Sequence, residues 1–144
     1  MSKRKYCEKL TREMLEEWGI THIDWCEREQ QWWVNRYWYR YGNSKEKSNF
    51  RLKITKAIGK HKYTDDIEYY VVAFSLNGKS KTIPLARLIY AWFNEKGVPE
   101  GYDVDHKNND KKDNTLENLQ LLSREQNIAK RYIDNPNGHR NQYR

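Results

Sequence analysis

Toward the end of the chain lies a run of residues equipped for chemistry. It reads Tyr102-Asp103-Val104-Asp105-His106-Lys107-Asn108-Asn109-Asp110, then Asp113-Asn114, then Leu116-Glu117-Asn118-Leu119, with Asn127 further on. An Asp carboxylate and an Asn amide are hard oxygen ligands of the kind that suit Mg2+ or Mn2+. A neutral imidazole can take up a proton near pH 7. Phosphodiester hydrolysis needs both: a cation to offset charge on the phosphate and leaving oxygen, and a base to deprotonate water. Asp105, Asn127 and His106 would supply that set. Each also has a plainer reading, because Asp-His pairs are common and loops rich in Asn and Asp are more often turns than metal sites.

Convergence of these side chains depends on the elements that carry them. Val98-Pro99-Glu100-Gly101 has Pro and Gly at turn positions and leads into a short extended piece, Tyr102 to His106. Ser123 with Gln126 three residues on forms a capping box, so a helix starts there and carries Asn127, Ile128, Lys130 and Arg131. The order is strand, polar loop, strand, helix. Asp105 and His106 then sit at a strand end, with the imidazole expected to face a wet cleft. Adjacent strand residues point to opposite faces, so the strand must bend or end there for both to serve one phosphate.

Upstream, Thr11 can cap a short helix ending at Gly19, with Met14, Leu15 and Trp18 as its apolar stripe. Trp32 to Tyr41 reads as a strand whose aromatic faces suit core more than a base-stacking platform. Asn43, Ser44, Lys45 and Ser48 read as a loop, followed by one strand in which Phe50, Leu52 and Ile54 alternate with Arg51 and Lys53. Glu68 to Ser75 and Lys79 to Ile83 flank Asn77-Gly78, a tight-turn signal, and form a β-hairpin. Pro84 suits a helix start, Leu85, Leu88, Ile89, Trp92 and Phe93 follow the helical period, and Gly97 supplies the stop.

At 144 residues the chain is the size of one core. It is polar, at 33% charged residues, yet 14% aromatic, which excludes a disordered acidic chain. No run approaches the roughly 20 apolar residues of a membrane helix. Met1-Ser2-Lys3-Arg4-Lys5 leads into Tyr6, Cys7, Glu8 and Lys9 rather than an apolar signal core, so the expectation is a soluble, cytoplasmic protein. Cys7 and Cys26 have no companion pair and read as free thiols. The net charge is +7, and residues 1–64, with 15 basic and 8 acidic side chains, hold the surplus. Within them Lys45, Lys47, Arg51, Lys53, Lys56, Lys60 and Lys62 face one acid, Glu46, a cluster that suits a polyanion. A charge run alone is more often a solvated surface.

Taken together, Val104 to Asp110, Asp113-Asn114, Glu117-Asn118-Leu119 and Asn127 resemble the HNH endonucleases with a ββα-metal (His-Me finger) fold. The similarity is greatest to the phage and intron-encoded homing branch, in which the final His is replaced by Asn. It extends back through Pro84-Leu85-Ala86-Arg87-Leu88 and covers about residues 69 to 131. The resemblance implies His106 as general base, Asp105 and Asn127 as ligands of one Mg2+ or Mn2+ ion, Asn118 as the residue that braces the loop and orients the base, and Asn114 as a support of that loop.

The expected fold is α+β. A basic, aromatic-rich extension over residues 1–64 precedes a nuclease domain over residues 65–133, which opens with the hairpin and helix, and residues 134–144 form a tail. The expected partner is double-stranded DNA, met by a monomer, with a dimer as the alternative. Arg51, Lys53, Lys56, Lys60, Lys62, Lys130 and Arg131 would contact it. If the chain is phage-encoded, its place is the bacterial host cytoplasm. Two departures stand out. Ala86 occupies a position where the branch often has His, and only a short tail follows Arg131, so any sequence specificity falls to the Trp-rich N-terminal half. The alternatives are a DNA-binding protein with a vestigial site and a structural zinc domain. The latter fails on ligands, because Cys7, Cys26, His22 and His61 lack finger spacing; His22, His61 and His139 read as surface or satisfied residues.

Overall fold

The computed structural model of the chain describes residues 8–39, 47–59 and 67–134. It is a mixed α and β arrangement. Thr11 caps helix α1 (Arg12–Glu17), its hydroxyl accepting from the Met14 N–H at 3.2 Å, as the capping signal predicts. Leu15 is the buried residue of that short helix. Strands β1 (Ile20–Cys26), β2 (Gln31–Tyr39) and β3 (Lys47–Leu52) then form an antiparallel sheet in that order. A second antiparallel sheet has β4 (Ile54–Gly59), β5 (Ile67–Leu76) and β6 (Lys79–Pro84).

β1 has no counterpart in the sequence reading. Its buried residues, Ile20 and Ile23, are three apart because a bulge lies between Ile20 and His22, which breaks the period of two. The alternating stretch Phe50 to Ile54 is also corrected, from one strand to parts of two. Leu52 pairs with Val34 in the first sheet and Ile54 with Val72 in the second, with the break at Lys53. Both Leu52 and Ile54 pack against the core, so the alternation runs across the break unchanged. Ser48, expected in a loop, lies in β3, whereas Asn43, Ser44, Lys45 and Tyr41 fall outside the described residues.

The hairpin β5–β6 turns at Asn77 and Gly78, both with positive φ, as Asn-Gly turns require. Helix α2 (Leu85–Phe93) follows and buries Leu85, Ala86, Leu88, Ile89, Ala91 and Trp92. Phe93, counted as part of the apolar stripe, is 43% exposed and lies 6.2 Å from the Trp32 ring. The helix stops at Asn94, whose side-chain amide donates to the Tyr90 carbonyl at 2.9 Å, rather than at Gly97. Gly97, at φ +63°, serves a different purpose: it bends the chain so that Val98 and Leu10 exchange backbone hydrogen bonds of 2.7 and 2.9 Å.

Strands β7 (Tyr102–His106) and β8 (Leu119–Ser123) form a third, two-stranded sheet, and α3 (Arg124–Asp134) closes the described chain. One apolar cluster joins Leu10 and Leu15, Ile23 and Val34 of the first sheet, Val72 and Ile83 of the second, α2, Val98 and Leu119 of β8. Residues on both sides of position 64 therefore share a core. Among the described residues, Cys26 is a free thiol and no helix is long and apolar enough to cross a membrane.

Candidate active site

Register decides which side chains of β7 share a face. Val104 pairs with Leu121, and both pack against the core. His106 pairs with the buried Leu119 and, by alternation, lies on that same side. Asp103 and Asp105 take the opposite side, which α3 covers. There the Asn127 amide donates to Asp103 Oδ2 at 3.3 Å, and Lys130 Nζ donates to Asp105 Oδ2 at 2.8 Å. Gln120, the cross-strand neighbour of Asp105, donates to the same oxygen at 2.8 Å. Capping fixes the start of α3 as the sequence predicts: the Ser123 hydroxyl accepts from the Gln126 N–H at 3.2 Å, and the Gln126 side chain accepts from the Ser123 N–H at 2.9 Å.

The loop between the strands is held by its own Asn and Asp side chains. Asn118 Oδ1 accepts from the Asn108 N–H at 3.1 Å, and its amide nitrogen donates to Asn108 Oδ1 at 2.9 Å and to the Asp113 carbonyl at 2.8 Å. Its own carbonyl accepts from the Lys107 N–H at 2.7 Å. Asn108 and Asp110 each accept from the backbone N–H two residues on, at 2.8 and 3.0 Å, which are Asx turns. Asp113 Oδ1 accepts from the Thr115 hydroxyl at 2.8 Å, and that bond, with the Thr115 N–H, holds its carboxyl below the usual range. Asn109 takes a left-handed φ of 65°, which Asn tolerates.

This folded loop returns Asn114 to the hairpin. His106 Nε2 lies 2.8 Å from Asn114 Oδ1, and both residues are buried. The imidazole is thus only 5% exposed, which corrects the expectation of a wet cleft. The reason is its strand face, shared with Val104, and the loop folded back over it. Burial lowers the imidazole pKa below its ordinary 6.5, Lys111 adds to that, and Asn114, Asp105 and Asp110 oppose it. An amide oxygen facing Nε2 makes that nitrogen the donor, so Nδ1 is the ring's basic nitrogen.

The predicted residues divide into two groups on the two faces of one strand end. His106 joins Asn114, with Asn118 bracing the loop, while Asp105 and Asn127 both face the space between hairpin and α3. Asp105 and Asn127 are engaged separately, by Lys130 and by Asp103. As a cation site the donor chemistry fits. Asp105 is a buried carboxylate already in contact with a cation, and hard divalent ions take one or two carboxylates with water and phosphate completing the shell. Among the described residues no three His, Cys, Asp or Glu side chains cluster to hold a metal, so an amide such as Asn127 would have to contribute.

Of the residues expected on DNA, Lys53 and Lys56 are exposed. Arg51 pairs with Glu29 at 3.1 Å and lies 4.7 Å over the Trp33 ring. Lys130 reaches back to Asp105 with a side chain 21% exposed. Lys60 and Lys62 fall outside the described residues, as does the Arg131 side chain on α3. Gln120 and Asp103 were not singled out from sequence; the only signal for Gln120 is its register opposite Asp105, which requires the hairpin to be aligned first.

Residues 87–129 match the family model described as HNH endonuclease. The match runs from Arg87 in α2 to Ala129 in α3, less than a third of the chain, and takes in the hairpin, its loop and Asn127. No curated protein and no solved structure gives a match. The resemblance to HNH endonucleases drawn from Val104 to Asn127 therefore holds over this segment.

Proposed function

We propose that the protein is a metal-dependent DNA endonuclease that hydrolyses phosphodiester bonds, of the ββα-metal type and the phage or intron-encoded homing or nicking branch. The observation that carries this reading is the His106–Asn114 pair at the end of a strand that also presents Asp105 to the helix bearing Asn127. HNH endonucleases as a family use a divalent ion and act on DNA.

In this reading His106 accepts the proton of the attacking water at Nδ1, with Nε2–H held by Asn114. Asn118 is a positioning residue: it braces the loop that carries Asn114. Asp105 and Asn127 would hold one Mg2+ or Mn2+ ion, which supplies charge to offset that on the phosphate and the leaving oxygen. Lys53, Lys56, Lys60, Lys62, Arg51, Lys130 and Arg131 supply positive charge for the DNA backbone, and the residues before 65 act as the contacting region. The substrate is double-stranded DNA, cut one strand at a time by a monomer in the cytoplasm of the host cell.

Purified protein incubated with supercoiled plasmid, with Mg2+, Mn2+ or EDTA, tests the reading. Nicked circles that need the divalent ion and vanish in His106→Ala are expected. Intact plasmid under every condition, with DNA binding retained, would favour the second reading, a DNA-binding protein with a vestigial site. The Lys130–Asp105 pair is the observation on that side, since an ammonium already neutralises the carboxylate.

A further inference from the structure

Lys130 Nζ makes three contacts of hydrogen-bond length: to Asp105 Oδ2 at 2.8 Å, to the His106 carbonyl oxygen at 3.0 Å and to Asn109 Oδ1 at 2.7 Å. A carboxylate, a peptide carbonyl and a side-chain amide are the oxygen donors that hard cations select. Here they come from a strand end and from a loop residue in the left-handed region, and they converge on one ammonium carried by α3. The Asp105 side chain is 7% exposed, and a carboxylate so buried is costly unless a cation or several donors meet it.

We propose that Lys130 is the resident cation of this site, neutralising Asp105 and tying the loop to α3 until a divalent ion takes Asp105 and displaces the ammonium. The proposal rests on Asp105 being a metal ligand, as read above. Displacement follows from distance and charge. A divalent ion held by Asp105 would share that carboxylate with an ammonium 2.8 Å from Oδ2, and the two would face each other with like charge in a poorly solvated place. The ion therefore competes with Lys130, and the site binds metal more weakly than its oxygens alone would. The lysine in turn keeps the hairpin, loop and helix assembled while no ion is bound.

Titration calorimetry of the full chain with MnCl2 tests this. Lys130→Met should bind Mn2+ roughly tenfold tighter or more than the wild type, the equivalent of one charge-assisted hydrogen bond that no longer competes. Lys130→Arg, which keeps the charge, should bind no tighter than the wild type. Metal-free Lys130→Met should melt below the wild type and show the larger rise in melting temperature on adding Mn2+. Equal or weaker Mn2+ affinity in Lys130→Met overturns the proposal.

A measurement on the wild type covers the case in which that variant does not fold. Acylation of Lys130 by an amine reagent, followed by mass spectrometry, should quicken when Mg2+ saturates the protein, and unchanged protection overturns displacement. Asp105→Ala separates this inference from the reading beneath it. If the wild type binds Mn2+ and Asp105→Ala binds it equally well, Asp105 is not a ligand and the underlying reading fails. If Asp105→Ala loses Mn2+ while Lys130→Met is unchanged, the reading stands and only the role of Lys130 falls.

Discussion

His106 and Asn114 are joined at 2.8 Å through Nε2 and Oδ1, both buried, so the imidazole is oriented by a loop residue and not by its strand. Replacing His106 by Ala should abolish cleavage and also cost stability. It leaves the Asn114 amide oxygen buried without its donor, worth about 1–3 kcal/mol. Plasmid nicking and urea denaturation of the same variant check both effects, and an unaltered denaturation midpoint would contradict the buried pairing.

The Asn114 amide can be tested separately from the ring. Asn114→Asp places a carboxylate against Nε2, which favours the charged imidazolium and should raise the His106 pKa. At neutral pH the variant should cut more slowly than the wild type and recover as pH rises. A pH profile superimposable on the wild type would show that the pair does not set the base.

In the wild type the sign is opposite. Burial holds the His106 pKa below 6.5, so the base stays neutral under more acidic conditions than an ordinary His, and the acid limb of cleavage should have its midpoint below 6.5. Stability follows the same window. Between the folded and unfolded pKa values the unfolded chain binds the extra proton, so stability from this group falls as pH drops below 6.5 and is flat above it. Denaturation midpoints of wild type and His106→Gln between pH 5 and 8 should converge toward the acid end.

Asn118→Ala removes three side-chain hydrogen bonds that close the loop onto Asn108 and Asp113. A loss of about 1–3 kcal/mol is expected, with faster hydrogen exchange at Asn108, whose N–H it engages. Exchange at the capped start of α1 should not change.

Lys53 and Lys56 are exposed near the break between the first two sheets. If both meet DNA phosphates, changing both to Gln should reduce the slope of log affinity against log salt by roughly 2 and weaken binding to every sequence alike. Fluorescence anisotropy at several salt concentrations reads the slope, and no change assigns these lysines to solubility.

Features governed by nearest neighbours along the chain were legible in the sequence. The Asn77-Gly78 hairpin, the apolar stripe of α2 and the Ser123–Gln126 capping box all depend on residues within a few positions of one another. Features that depend on register or on chain return were not. The bulge hid β1, and the passage between sheets at Lys53 left the alternation intact. At the site, the residue types and spacing pointed to Asp105, His106 and Asn127, yet nothing local says that Asn114 folds back onto the imidazole. Lys130 was legible as a positive charge, but its direction depends on how α3 packs against β7.

The Leu10–Val98 bridge bears on how such a protein can be rearranged. It closes most of the described chain into one loop, and an L side chain at Gly97 would collide with the Leu10 carbonyl while adopting a left-handed φ. The Leu10 segment and the approach to the candidate site are thus joined in one pairing between partners far apart in sequence. A recombination event that moved only the segment matching the HNH family, leaving residues 8–39 behind, would strip the pairing and take Leu10, Leu15, Ile23 and Val34 out of the core cluster that Leu88, Ile89 and Val98 share. The segment behaves as an inlay cut to its setting, and transplantation to another protein would require a new host surface of the same apolar shape.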